Sequence, residues 1–177
     1  MKTIKVSIKG VTPILMNKYI IDTTKSRSIS KTYDPKIEAE KSAYWSSGKK
    51  KELIIPSEIM YASMLNASSF HKIGKRSAKS ILAGSIRVEP MEISLGTAQY
   101  DIDTRPVVIG RARVLKSRAR INEWKATFDV VYNEDLIADP EIINVILKEA
   151  GERIGIMDFR PNKGGPYGCF VIDGFKY

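Results

Sequence analysis

The end of the chain constrains its fold most, because a helical pattern runs there into a glycine-rich loop and then into an apolar strand. Gly155, Gly164, Gly165 and Gly168 lie within this loop. Glycine accepts positive φ and lets a ligand come close to the backbone, because it has no Cβ. The loop also carries cations and flat rings that suit phosphates and bases: Phe159, Arg160, Lys163 and Tyr167. The pattern predicts an anion-binding loop or, as the alternative, a long connection whose aromatic side chains fill the core.

The net charge favours a polyanionic partner. The 177 residues include 29 Lys and Arg against 20 Asp and Glu, which gives a formal net charge of +9. A basic domain of this size most often binds nucleic acid, although surface solubility alone also explains such a charge. Basic residues are concentrated at positions 105–125 and acidic residues at 134–152, which predicts a basic face and an acidic face. The predicted phosphate contacts in the basic stretch are Arg105, Arg111, Arg113, Arg118 and Arg120.

Composition and motifs exclude several other classes. One cysteine, Cys169, and one histidine, His71, cannot build a zinc site, and no metal or cofactor is expected. Asp101 and Asp103 are expected to shape a turn or to pair with Arg105 rather than to hold a cation. No segment approaches the ~20 apolar residues of a membrane span, and the strand-like N-terminus is not a signal peptide, so we expect a cytoplasmic protein. Walker, dinucleotide-binding and nucleophile-elbow patterns are missing from the sequence.

Hydrophobic periodicity predicts a mixed order of strands and helices. Helices are predicted at residues 58–70 and 141–154, each behind a capping residue. Residues 71–84 and 96–104 are predicted to be loops, the first of them basic. Strands are predicted at 2–9, 85–95, 107–114, 118–132 and 170–175.

Residues 17–52 form a polar segment that is too long for an ordinary connection. It contains Lys25, Arg27 and Lys31, and Asp34 with Pro35 predicts a short helix from Lys36 to Trp45. We therefore predict a single domain of residues 1–177 with an insertion at 17–52.

Without the insertion and one edge strand, the predicted order is βαββαβ. This order predicts an α+β protein with a ferredoxin-like antiparallel sheet and helices on one face. The other face of the sheet is then free for a ligand, as in the common RNA-recognition module.

The core order and the glycine-rich loop together resemble the RAMP superfamily of CRISPR-associated RNA-binding proteins. The resemblance is carried by residues 151–168, GERIGIMDFRPNKGGPYG, and by Cys169-Phe170-Val171 after them. The insertion at 17–52 is similar to the thumb of that superfamily's crRNA-binding backbone subunits. The resemblance implies RNA binding by repeated subunits, and the lack of a second ferredoxin-like half argues against the two-domain nuclease branch. A virus- or prophage-encoded relative that binds single strands in replication or recombination fits the same residues.

The leading functional hypothesis is binding of single-stranded RNA or DNA without catalysis. Phe159 and Tyr167 are the predicted stacking platforms, whereas Trp124 shares a face with apolar neighbours and is expected to be buried. Arg160 is the most promising phosphate contact, because Asp158 and the loop glycines would hold its guanidinium near an anion. The alternative for Arg160 is an internal ion pair with Asp158 or a bond to local carbonyl groups.

Two other classes of function remain open. An endoribonuclease could use His71 as general base, and the basic residues that follow it in the sequence would stabilise the phosphorane. A structural protein could dock the amphipathic helix of the insertion on a neighbouring subunit through Ile37, Ala39, Tyr44 and Trp45. A homo-oligomer is expected in the binding and assembly hypotheses. Convergence of the 111–120 stretch with Arg160 on one surface would favour nucleic-acid binding over assembly alone.

Overall fold

The computed structural model describes residues 1–19 and 33–177. The centre of the predicted insertion, with Lys25, Arg27 and Lys31, lies outside these ranges. The α-helices in the described ranges are α1 Pro35–Ser42, α2 Ser57–Ala67, α3 Ala78–Ser85 and α4 Glu141–Glu149. The strands are β1 Lys2–Gly10, β2 Ile14–Leu15, β3 Ile54–Pro56, β4 Lys72–Ile73, β5 Arg76–Ser77, β6 Ile86–Glu89, β7 Glu92–Ser94, β8 Asp101–Ile109, β9 Ala112–Ile121, β10 Lys125–Tyr132 and β11 Phe170–Lys176. None of the described helices is long and apolar enough to cross a membrane.

The main sheet has four antiparallel strands in the order β11-β1-β10-β6. Alternation along β1 buries Ile4, Val6 and Ile8 on one face and exposes Lys5 and Lys9 on the other. The predicted strands at 2–9 and 170–175 are thus confirmed as β1 and β11. The sheet has one apolar face and one polar face, as its period of two requires.

The helices α2 and α4 cover the apolar face of this sheet. Met60 and Met64 of α2 join Ile143 and Ile146 of α4 in one buried cluster with the apolar residues of β1 and β10. The spacing of three and four residues that predicted both helices places these side chains on one stripe. The architecture is therefore a mixed α+β fold with helices packed on antiparallel strands.

A long hairpin of β8 and β9 extends from the core and pairs with β2 in a three-stranded sheet. Residues paired across an antiparallel ladder have their side chains on the same face. On one face of this hairpin the pairs are charged: Asp101 with Arg120, Asp103 with Arg118, and Arg105 with Lys116. The hairpin thus places acids and arginines from its two strands side by side.

This hairpin corrects two strand predictions. Residues 107–114 span its tip, because Gly110 takes a φ of 63° at the turn and reverses the chain. Residues 118–132 are two strands, separated by a turn in which the Gly10 amide donates to the Trp124 carbonyl at 2.9 Å. The Trp124 side chain is buried, as predicted, and its Nε1 donates to the Thr12 carbonyl at 2.9 Å.

The loop predictions at 71–84 and 96–104 are also wrong in part. Residues 72–77 form the small hairpin of β4 and β5, and α3 follows because Ala78, Leu82 and Ser85 share a buried stripe. The predicted strand at 85–95 is broken near Pro90 into β6 and β7, which belong to different sheets. Strand β8 begins at Asp101, so the second loop is shorter than predicted.

Helix α1 packs against the hairpin of its own chain. The Ser42 hydroxyl accepts a hydrogen bond from the Ala119 amide at 2.8 Å, and the Glu38 carboxylate accepts one from the Ser117 amide at 2.7 Å. Of the predicted docking residues, Ile37 is exposed. The others contact the core of this chain: Ala39, Tyr44 and Trp45.

Candidate nucleic-acid interface

The glycine-rich loop at residues 155–168 is pinned to the core through its backbone. The Asp158 amide donates to the Leu15 carbonyl at 2.9 Å, and the Gly168 amide donates to the Pro13 carbonyl at 2.8 Å. Met157 and Phe159 have positive φ values of 63° and 49°. Non-glycine residues at positive φ are uncommon, and such positions cluster at ligand-binding sites. These contacts therefore fix the backbone of the loop and with it the directions of its side chains.

An ion pair made by a buried arginine joins this loop to the hairpin. Arg118 Nη1 lies 2.6 Å from Asp158 Oδ2, and the Arg118 residue is only 6% exposed. Burying an arginine requires a partner of opposite charge, because its desolvation is otherwise too costly. Asp158 thus pairs with Arg118 and not with Arg160. Through this pair, Arg118 of the basic stretch at 105–125 lies directly against the loop.

A second contact between hairpin and loop links Arg105 to Tyr167. Arg105 Nη2 donates to the Tyr167 hydroxyl, and the guanidinium carbon lies 5.1 Å from the centroid of the Tyr167 ring. Arg105 Nε also pairs with Asp103 at 2.7 Å, as predicted, and the hydrogen bond that Arg105 donates to the Asp103 carboxylate is the main cause that raises the pKa of Arg105. Tyr167 is buried, so its exposed neighbour carries the accessible ring.

That neighbour is Phe159, which is 38% exposed. Its ring centroid lies 6.0 Å from that of Tyr167 at an interplanar angle of 35°. Arg160, the next residue, is half-buried and donates from Nη1 to the Met157 carbonyl at 2.8 Å. Lys163 is exposed at the end of the one-turn 3₁₀ helix Pro161–Lys163. The loop therefore presents one aromatic face and two cations to solvent.

The remaining predicted arginines lie in two places. Arg120 is at the base of the hairpin, 3.5 Å from Asp101 and 3.6 Å from Asp103. Arg111 and Arg113 are exposed at the hairpin tip. With a strand rise of about 3.3 Å per residue, the turn at Gly110 lies roughly 17 Å from Arg105, and Arg113, opposite Val108, lies roughly 10 Å from it. The structure thus brings Arg105 and Arg118 to the loop. It holds Arg120 in ion pairs within the hairpin and places Arg111 and Arg113 near the hairpin tip.

A cavity of about 300 Å³ lies beside the loop. Its wall includes Tyr44, Glu58, Met157, Asp158 and Arg160. Volumes of roughly 300 Å³ and above are typical of pockets that enclose small ligands. The half-buried Arg160 therefore borders both the solvent and a cavity large enough for a planar ring.

His71 lies outside this cluster of contacts, at the start of the β4–β5 hairpin. Its Nε2 is buried and has no hydrogen-bond partner within the described ranges. Residues 1–19 and 33–177 contain no group of three or more His, Cys, Asp or Glu side chains placed to hold a metal ion.

Sequence reasoning did not identify Asp158 as the partner of Arg118, or Asp101 and Asp103 as partners of Arg120. The Asp-x-Asp pattern at 101–103 and the Arg-x-Arg pattern at 118–120 have the period of facing strands. A correct hairpin assignment would have aligned them, because paired residues share a face.

Comparisons with known proteins bear on the fold. No protein-family model matches the chain, and no curated protein matches its sequence. The chain is similar to a chain in the cryo-EM structure of the Type III-B Cmr-beta bound to cognate target RNA, with a TM-score of 0.52 and 13% sequence identity. The similarity covers 98% of this chain and 59% of that chain, so this chain spans about three fifths of its length. At this identity the similarity concerns the fold alone.

Proposed function

We propose that the protein is a RAMP-like subunit that binds single-stranded RNA without cleaving it and assembles in repeated copies along the strand. The structural neighbour belongs to an assembly bound to target RNA, which supports RNA over DNA as the partner. Neighbouring subunits, identical or related, are the protein partners that this proposal implies.

The proposed fold assignment rests on connectivity. The series β1, α2, β6, β10, α4 and β11 is a βαββαβ unit, and its sheet order of fourth, first, third and second strand is the ferredoxin-like one. On this assignment the segment at 17–52 and the β8–β9 hairpin are two insertions into the core.

One observation carries the functional proposal: Phe159 exposes its ring beside cations that are not neutralised by acids. Arg160 and Lys163 form no ion pair with the acids of the described chain. Arg111 and Arg113 are likewise unpaired within the described ranges but lie apart from Phe159, at the hairpin tip. Aromatic faces stack bases at about 1–3 kcal/mol each, and basic side chains near them hold the phosphates. The loop thus offers the two kinds of contact that a single strand needs.

The arginines of this surface divide into two roles. Arg118 pairs with Asp158 and Arg105 donates to Tyr167, so these two arginines position the loop against the hairpin. Arg120 pairs with Asp101 and Asp103 and links the two strands of the hairpin. Arg160, Lys163, Arg111 and Arg113 are assigned to phosphates. The ring of Phe159, backed by Tyr167, is assigned to a base, and the adjacent cavity can hold a neighbouring one.

The experiment is fluorescence anisotropy of labelled single-stranded RNA, single-stranded DNA and duplex DNA over a range of salt concentrations. Lys163→Ala and Arg160→Ala are each expected to weaken RNA binding equally across sequences and to lower the salt slope by about 0.7, the value of one phosphate contact on a single strand. Lys148→Ala removes an exposed lysine from the acidic stretch and serves as the matched control, with no change expected.

Gel analysis of the same RNA tests the absence of catalysis. RNA that stays intact for the wild-type protein and for His71→Ala agrees with a binding subunit. Cleavage that disappears in His71→Ala would replace this proposal by the endoribonuclease. If the folded wild-type protein binds no single strand at low salt, assembly alone remains.

A further inference from the structure

An open groove of about 1050 Å³ lies beside the base of the β8–β9 hairpin. It lies between the end of β1, residues 95–101 and the turn that joins β9 to β10. Its polar and charged wall includes Lys9, Gln99, Asp101, Arg120, Asn122 and Lys125. None of the predicted phosphate contacts except Arg120 lies in this groove.

A continuous polar network connects this groove to the glycine-rich loop. It begins at Tyr167, which accepts a hydrogen bond from Arg105, and Arg105 in turn pairs with Asp103. Asp103 lies 3.6 Å from Arg120, which reaches Asp101 at 3.5 Å. Asn122 Nδ2 donates to the same Asp101 carboxylate at 2.6 Å and completes the network within the groove wall. The loop and the groove are therefore joined by one hydrogen-bonded network, which passes through the buried Asp103.

The groove opens beside a pair of lysines that face each other across the sheet. Lys9 of β1 is paired with Lys125 of β10 in the antiparallel register, and both are exposed. Like charges in directly opposite positions destabilise a sheet. Neither lysine forms an ion pair with an acid in residues 1–19 or 33–177. An anion held between the two ammonium groups would relieve the repulsion.

The acids of the groove do not neutralise these lysines. Asp101 is already shared by Arg120 and Asn122, and Glu123 is exposed in the turn two residues before Lys125. Arg120 Nε is buried without a hydrogen-bond partner among the described residues. Arg120 is paired with Asp101 and Asp103, so the unpaired positive charge of the groove wall is that of Lys9 and Lys125, at the sheet end of the groove.

We propose that this groove and the Lys9–Lys125 pair form a second anchoring site for the phosphate backbone of the same single strand. The inference rests on the proposed function and extends it: a strand held at Phe159 and Lys163 continues past the base of the hairpin to the groove. It then crosses onto the polar face of the sheet between Lys9 and Lys125. The groove is several times larger than the cavity beside the loop, so it accommodates a run of nucleotides rather than one.

The test compares Lys9→Ser/Lys125→Ser with a matched control, Lys5→Ser/Lys176→Ser. Lys5 and Lys176 are also paired across the sheet, between β1 and β11, but do not line the groove. Both double variants remove the same charge. Lys9→Ser/Lys125→Ser should raise Tm because a like-charge pair is lost, so its loss of binding cannot be attributed to unfolding. In the control, Lys5 also faces Asp129 of β10, so a favourable pair is lost with the unfavourable one and Tm should change little.

Binding is measured with an RNA of about 6 nucleotides, which spans the loop site, and with one of about 20 nucleotides, which also reaches the groove. Lys9→Ser/Lys125→Ser should weaken binding of the long RNA about tenfold and lower its salt slope by about 1.4, or about 0.7 for each lost contact. The short RNA, and both RNAs with the control variant, should bind nearly as they do to wild type.

Each other outcome has a defined meaning. If both double variants bind the long RNA like wild type, or weaken both RNAs equally, the second site is overturned and the loop site stands. If the wild-type protein binds neither RNA, the proposed function itself fails. An acidic peptide that occupied the groove instead would displace the long RNA from the wild-type protein and would not bind Lys9→Ser/Lys125→Ser. In that case the groove is a protein-docking surface and the inference is overturned.

Discussion

Gly168→Ala is expected to lower the free energy of unfolding by about 3 kcal/mol, whereas Gly164→Ala is expected to lower it by only about 1 kcal/mol. Both glycines have a φ of 74°, a conformation that alanine adopts only with strain. A Cβ at Gly164 would point into open space. A Cβ at Gly168 would collide with the carbonyl oxygen of Ile156 and lie 2.9 Å from its nitrogen. Both substitutions therefore introduce the same backbone strain, and only Gly168→Ala adds a steric collision.

The collision matters because it falls on the closure of the loop. The Ile156 amide donates to the Gly168 carbonyl at 3.0 Å, and this bond closes the loop at its two ends. Any backbone movement that relieves the collision of the alanine methyl must break this hydrogen bond and displace Met157 and Phe159. We expect Gly168→Ala to lose RNA binding even under conditions where it is fully folded, and Gly164→Ala to keep it.

Urea denaturation of both variants measures the difference, with the change read from the midpoint at constant m. Equal destabilisation by the two alanines would show that the backbone at Gly168 moves without cost. The loop would then not be the rigid platform that the binding proposal requires.

Arg118→Met is expected to lower the free energy of unfolding by about 2 kcal/mol, because it leaves Asp158 without its cation at a contact in which the arginine is buried and the carboxylate is a third exposed. The apolar methionine preserves most of the side-chain volume, so the loss reports the charge rather than a cavity. Arg120→Met is the matched control on the same strand. Its guanidinium is a third exposed and its ion pairs are longer, so its loss should cost less than about 1 kcal/mol.

A double-mutant cycle separates the ion pair from other effects of losing Arg118. Asp158→Asn alone leaves the arginine buried without a counter-charge, and the double variant removes both charges at once. We expect a coupling energy of about 1–3 kcal/mol between the two positions, so that the double variant is more stable than the sum of the single changes predicts. Strict additivity would mean that the hairpin and the loop are held together by other contacts.

The elements that were predicted correctly depend on local patterns. Strand β1 follows from the alternation of Lys2 through Gly10, and α2 and α4 follow from apolar residues spaced by three and four. These periods reflect which face of an element meets the core, so a short window of sequence contains them. The hairpin was missed because alternation continues through Gly110 and Arg111, whose turn lacks the strong Asn-Gly or Asp-Gly signal. Helix α3 was missed because its apolar stripe is short and lies within a basic segment.

The sequence by itself determined which side chains the loop carries. Phe159, Arg160, Lys163 and Tyr167 lie within a few residues of the glycines that shape it, and that neighbourhood is a property of the chain. Only the tertiary structure decided which of them reach solvent and which cations meet them. Arg118 and Asp158 are 40 residues apart in sequence, and Arg105 and Tyr167 are 62 apart. The physical reason is that a buried charge takes whichever counter-charge the packing of distant segments brings within reach, and strand register decides that packing.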